Sequence, residues 1–286
     1  MSTSVRVNPL PSDPAAGAPG VMPDVQASHD TRRVPIDRVG VKNITYPITL
    51  KCPGTGGQQH TVATVNMYVG LPHYQKGTHM SRFLEVLNEH HEAVRSNEVM
   101  SICRAIKEKL EAEAAHLELH FPYFIRKQAP VTGAPGMIDV QVTVEANCNA
   151  DGGEDYILGV KAPATSLCPC SKEISLYGAH NQRCEIEARV RFAPGKWMWI
   201  EDLAAVIEQA ASTQVFAVLK RPDEKFVTEA AYDNPKFVED IVRDLALRLE
   251  DEARIVWYQI NSENYESIHN HNAYAFIEKD KRAGGA

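Results

Sequence analysis

The stretch Cys184-Glu185-Ile186-Glu187-Ala188-Arg189-Val190-Arg191-Phe192 alternates apolar and charged residues without a break. Cys184, Ile186, Ala188, Val190 and Phe192 fall on one face, and Glu185, Glu187, Arg189 and Arg191 on the other. A period of two is the mark of a strand with one face on a core and the other toward water. That polarity suits an antiparallel sheet, because parallel sheets are covered on both faces. Met137 to Cys148 repeats the pattern, with Ile138, Val140, Val142 and Val144 opposite Asp139, Gln141, Thr143 and Glu145.

Working outward, Val39 to Leu50 and Thr61 to Val69 read as a strand pair joined through the turn residues Pro53-Gly54-Thr55-Gly56-Gly57. Two helices follow. The second carries Val99, Ile102, Cys103, Ile106, Leu110 and Leu117 on one face. Tyr123 to Lys127 and Met137 to Cys148 are then strands. The second half follows the same order. Asp155 to Val160 and Cys184 to Phe192 are strands. One helix carries Leu203, Val206, Ile207 and Ala210. Another starts near Asn234-Pro235 and carries Phe237, Ile241, Leu245 and Leu249. Arg254 to Ile260 and Ala273 to Ile277 close the chain as strands. The expectation is an α+β protein with ββααββ read twice, each half an antiparallel sheet with helices on one face. Residues 1–35, rich in Pro, Ala, Gly and Ser, read as a disordered or loosely draped arm. The first module spans 36–150, the second 151–278, and 279–286 is a loose tail. Open sheet edges call for closure by oligomerisation.

A net charge of −7 argues against a general nucleic-acid binder, though not against a locally basic nucleotide pocket. No apolar run is long enough to span a membrane, and no signal peptide is visible. Six cysteines in 286 residues are too few and too scattered for a disulfide scaffold. A reducing cytoplasm is the expected setting, with thiols free to bind a metal.

Thr165-Ser166-Leu167-Cys168-Pro169-Cys170-Ser171-Lys172-Glu173 is not explained by core packing, and Pro169 makes it a loop or strand end. Twelve residues after Cys168, His180 stands just before the Cys184 strand. A thiolate and an imidazole at neighbouring strand ends can share a divalent metal. Surface thiols and a capping histidine fit the same spacing equally well. Lys220-Arg221-Pro222-Asp223-Glu224-Lys225 reads as a stiffened charged loop after an apolar helix end. It offers either a third, oxygen ligand or solvated surface. Glu239 flanks the apolar stripe of the last helix: a surface carboxylate, or an acceptor for two adjacent donors of a guanine. His269 and His271 alternate near a strand end, where one is placed to act as general acid or base. Lys76, Thr78, Ser81 and Arg82 surround a helix start that suits a phosphate or is simply capped. Cys184 reads as a small buried residue.

Ser166 to Ser175 with Tyr177 to Arg183 resembles the signature of GTP cyclohydrolase type IB, as do Lys76 to Phe83, Lys220 to Lys225 and Tyr265 to His271. The resemblance covers roughly 30–278. It implies the tunnelling fold, with two ββααββ modules in one chain and a homotetramer with active sites at subunit interfaces. It also implies conversion of GTP and water to 7,8-dihydroneopterin triphosphate and formate, at the start of pterin and folate synthesis. Carried over, Cys168, His180 and Glu224 are metal ligands, with Zn, Mn or Fe(II) all compatible. Glu239 is the guanine anchor and His269 the proton-transfer residue. His271, Lys76, His79, Ser81, Arg82, Arg183, Lys220 and Arg221 belong to the substrate shell. On the same fold, a nitrile reductase of queuosine synthesis would instead use a thiol nucleophile and a nicotinamide, and a binding protein would take GTP without releasing formate.

Overall fold

The computed structural model describes residues 24–53, 57–90 and 98–284. Among them are nine strands and six α-helices in one antiparallel arrangement. In the first half, β1 (Ile36–Lys51) and β2 (Gln58–Leu71) precede α1 (Met80–Glu89) and α2 (Val99–Lys109), and β3 (Ala115–Gln128) and β4 (Pro135–Cys148) follow. In the second half, β5 (Glu154–Leu167), α3 (Pro169–Ile174) and β6 (Asn181–Phe192) lead into α4 (Ile200–Glu208) and a two-residue β7 (Thr213–Gln214). Then come α5 (Arg221–Asp233), α6 (Val238–Asp251), β8 (Ile255–Asn264) and β9 (Ala273–Asp280). The sheet runs β1-β2-β3-β4-β5-β6-β8-β9 without interruption, and β7 adds to β5.

The alternation fixes which face is buried. Cys184, Ile186, Ala188 and Val190 are fully buried, as are Val140, Val142 and Ala146 on β4. These faces join Phe83, Ile106, Leu203, Ile207, Ile241, Leu245 and Leu249 from the helices in one core. Each buried Leu or Ile there contributes about 1.5–3 kcal/mol relative to exposure. Burial also pushes the Cys184 thiol up to about 12, so it behaves as a small apolar residue.

Several elements differ from the sequence expectation. The second helix ends at Lys109, and Leu117 sits on β3; periodicity cannot distinguish an apolar helix end from the strand that follows it. Lys220 to Lys225 is not a loop but the start of α5, with Pro222 in the first turn and Asp223 accepting from the Lys220 N–H at 2.9 Å. No helix ends at Leu219; β7 and an irregular stretch precede α5 instead. The last helix begins at Val238 rather than Pro235, and Phe237 is a half-exposed N-cap residue rather than a core one. His269 and His271 are not on a strand but in the bend between β8 and β9. Residues 1–23 lie outside the described residues. Gln26 to Asp30 run along Tyr74 to Gly77, with backbone bonds from Lys76 to Ser28 and from Gly77 to Gln26. At the other terminus β9 continues to Asp280, and the Lys281 ammonium donates to the carbonyls of Leu249, Glu250 and Glu252 at the end of α6.

Candidate functional site

The β5–β6 ladder ends with Leu167 opposite Asn181, so Cys168 and His180 face each other one step further out. The Cys168 N–H donates to the His180 carbonyl at 3.1 Å. Residues opposite one another on antiparallel strands have Cβ atoms about 5 Å apart. The spacing of twelve is therefore a cross-strand pairing that spans α3. Cys168 is the N-cap of α3, where Pro169 fits the first turn and the Ser171 N–H points at the Cys168 sulfur, 3.4 Å away. The Ser171 hydroxyl donates to the Cys168 carbonyl and accepts from the His180 N–H at 3.2 Å.

The His180 ring is oriented by two residues that sequence reading missed. Its Nδ1 lies 3.0 Å from Gln182 Oε1 and 3.3 Å from Ser267 Oγ. Gln182 Nε2 in turn donates to Glu266 at 3.4 Å. A proton on Nδ1 satisfies Gln182 and leaves the Nε2 lone pair for a ligand, which is how outer partners orient metal-binding histidines. Gln182, two residues from His180 at the start of a strand, was findable from the period of two. Ser267 was not, because it arrives from the bend between β8 and β9.

The other candidates divide between the two ends of the sheet. Lys236 ties the start of α6 to the Cys168 end: its N–H donates to the Leu167 carbonyl and its carbonyl accepts from Ser166 Oγ, both at 3.0 Å. Glu239 is exposed in the first turn of α6. Arg183 lines a cavity of about 310 Å³ between the β5–β6 end and the Val227–Ala231 face of α5. Lys220, Arg221 and Glu224 lie exposed at the start of α5. The His269 and His271 rings stack with centroids 5.1 Å apart, exposed to solvent.

Lys76, His79, Ser81 and Arg82 are elsewhere. They follow the end of β2, and through the register Val69–Ala115–Cys148–Glu154 they belong to the end of the sheet where β5 begins. The fourteen residues of β5 separate them from Cys168, about 46 Å at 3.3 Å per residue. His79 Nε2 lies 3.1 Å from Asp24, and Arg82 donates to the Lys109 carbonyl at 3.4 Å.

Cys168 and His180 are two donors suited to a borderline divalent metal, and the partners at Nδ1 fit that role. Among the described residues no three His, Cys, Asp or Glu side chains are gathered to hold a metal. No helix among the described residues is long and apolar enough to cross a membrane.

A continuous antiparallel sheet with helices over one face, its rim carrying a thiol–imidazole pair, defines an α+β protein with the fold of the uricases. A uricase from Bacillus fastidious matches it with a TM-score of 0.50 at 11% identity, covering 89% of this chain and 95% of that one. Residues 22–275 match the type I GTP cyclohydrolase folE2 family, and the chain belongs to that family. GTP cyclohydrolase FolE2 of Syntrophobacter fumaroxidans is 55% identical over 260 residues, which is 91% of this chain and all of that one. The Magnetococcus marinus protein of the same name is 54% identical over 91% of this chain and 97% of its own length.

Proposed function

We propose that this chain is a GTP cyclohydrolase that converts GTP and water to 7,8-dihydroneopterin triphosphate and formate in folate synthesis. Membership of the family carries the activity. The facing of Cys168 and His180 carries the location of the site.

Cys168, His180 and Glu224 would hold one divalent ion, with Zn, Mn and Fe(II) all compatible with a sulfur, nitrogen and oxygen set. Bound there, the ion would supply a Lewis acid that lowers the pKa of water toward neutrality. Glu239 accepts from guanine N1–H and the exocyclic amine and turns C8 of the base toward Cys168 and His180. His269 donates a proton to the imidazole nitrogen of the purine, which makes C8 electrophilic toward water. Addition of water at C8 and ring opening leave a formamide, a second water cleaves its C–N bond to release formate, and condensation of the freed amine with the rearranged sugar carbonyl recloses the ring and returns one water. Arg183, Lys220, Arg221 and His271, at the Cys168 end, bind the substrate around the base and triphosphate.

Lys76, His79, Ser81 and Arg82 serve the triphosphate from a neighbouring subunit, since β5 separates them from Cys168 in their own chain. That separation supports a homo-oligomer with interface sites. In this reading the oligomer is a tetramer of chains each carrying two tandem ββααββ modules, working in the cytoplasm.

The test is formate release from GTP by chelator-stripped protein with zinc, manganese or ferrous iron added back. Restored release supports the reading; GTP binding without formate under every metal sinks it. For the anchor, Glu239→Gln is expected to raise KM for GTP by about tenfold to a hundredfold, because a carboxylate accepting two donors becomes an amide that clashes with one of them. An unchanged KM would remove Glu239 from the base site.

A further inference from the structure

The segment from Gln214 to Asp223 leads into α5 and carries Lys220, Arg221 and, one residue beyond, Glu224. The hairpin joining β3 to β4, from the other half of the chain, grips it at three points. Lys127 Nζ donates to Gln214 Oε1 at 3.2 Å and to the Val215 carbonyl at 3.3 Å. Opposite Lys127 in the ladder, Gly136 packs so closely that a Cβ there would meet Ala217 Cβ at 3.2 Å and the Val218 nitrogen at 3.3 Å. At the tip, the N–H groups of Val131 and Thr132 donate to Asp223 Oδ1, each at 2.9 Å. The Thr132 hydroxyl donates to Asp223 Oδ2 at 2.7 Å, and the Lys220 N–H donates to the same oxygen at 2.9 Å.

Asp223 is fully buried, while its neighbour Glu224 is exposed. A buried carboxylate accepting four hydrogen bonds fixes the backbone on either side of it. We infer that the β3–β4 hairpin tip is the positioning device for the start of α5, with Asp223 as the positioning residue that fixes the backbone from which the exposed Glu224 side chain turns to a metal. This rests on the reading of Glu224 as a ligand. Asp223 itself touches neither metal nor substrate. The arrangement gives the first half of the chain a part in a site whose other ligands both come from the β5–β6 end.

The test compares metal retention by Asp223→Asn, Thr132→Val and Glu224→Gln in the intact full-length protein, using Mn²⁺ and Zn²⁺ in competition with a chromophoric chelator, with Tm measured alongside. Outer-shell partners typically change metal affinity by about 10–100-fold. Asp223→Asn, which cannot accept from both the Lys220 N–H and the Thr132 hydroxyl, is expected to fall in that range. Thr132→Val, losing one bond of four, should weaken retention severalfold with Tm near wild type, and it decides the matter if Asp223→Asn does not fold. Loss of metal in Glu224→Gln with wild-type affinity in the folded clamp variants would overturn the clamp and leave the ligand standing. Unchanged affinity in Glu224→Gln would overturn the ligand, and the inference with it.

Discussion

Formate release from GTP is expected to fall at least about a thousandfold in both Cys168→Ala and His180→Ala, with far-UV circular dichroism unchanged. Each substitution removes one of two donors that the end of the β5–β6 ladder sets face to face. A bound ion contributes several kcal/mol of transition-state stabilisation, and about 4 kcal/mol corresponds to a thousandfold in rate. Groups that act as one unit are not additive, so the double variant should be barely worse than either single one. Neither substitution should unfold the protein, because both side chains lie at the sheet rim, half-exposed and outside the core. Retention of more than about a tenth of the activity by either variant would remove that residue from the metal site. Gln182→Ala provides a graded companion. It leaves both donors and removes the acceptor at His180 Nδ1, so a loss of about 10–100-fold is expected.

The second large effect concerns stability. Lys127→Met is expected to cost about 3–5 kcal/mol in urea unfolding, the usual penalty for breaking a buried ion pair from one side. The Lys127 and Glu208 side chains are 10% and 5% exposed, and they bridge β3 of the first half to the end of α4 of the second. Burial lowers the Lys127 ammonium and raises the Glu208 carboxyl, and the hydrogen bond and charge of each opposes the shift of the other. Without Lys127 only the burial of Glu208 remains, so its folded pKa stands above the 4.5 of a free glutamate. The folded state then binds more protons than the unfolded state between those two values. Stability of the variant therefore falls as pH rises through that window, and the deficit against wild type is largest at pH 8 and shrinks toward pH 5. Lys127→Met combined with Glu208→Leu should recover most of the loss, since two apolar side chains leave no stranded charge. A single variant as stable as wild type at pH 8 would show that Glu208 finds water or another partner.

Much of the fold was legible in short-range pattern. The alternation from Met137 to Cys148 and from Cys184 to Phe192 gave two strands and their buried faces directly, because a period of two is a property of the backbone itself. Errors fell where local signals compete. In Lys220 to Lys225 the alternating charges outweighed Pro222 and Asp223, which together mark a helix start. Leu117 was assigned to a helix because its spacing suited one, while its true neighbours are Met67 on β2 and Ala146 on β4.

The sequence by itself determined the antiparallel polarity, the core face of its strands, and the cysteine and histidine motif that places the chain in its family. Only the tertiary structure decided that Cys168 and His180 are cross-strand partners, that Ser267 reaches His180 from the bend after β8, and that Asp223 is held by a turn some ninety residues away. It also decided that Lys76 to Arg82 stand at the far end of the sheet from Cys168. The physical reason is common to all four. Periodicity records how each residue faces its own element, whereas register between strands far apart in sequence is set by the summed burial of whole faces, and no short stretch of chain contains that sum.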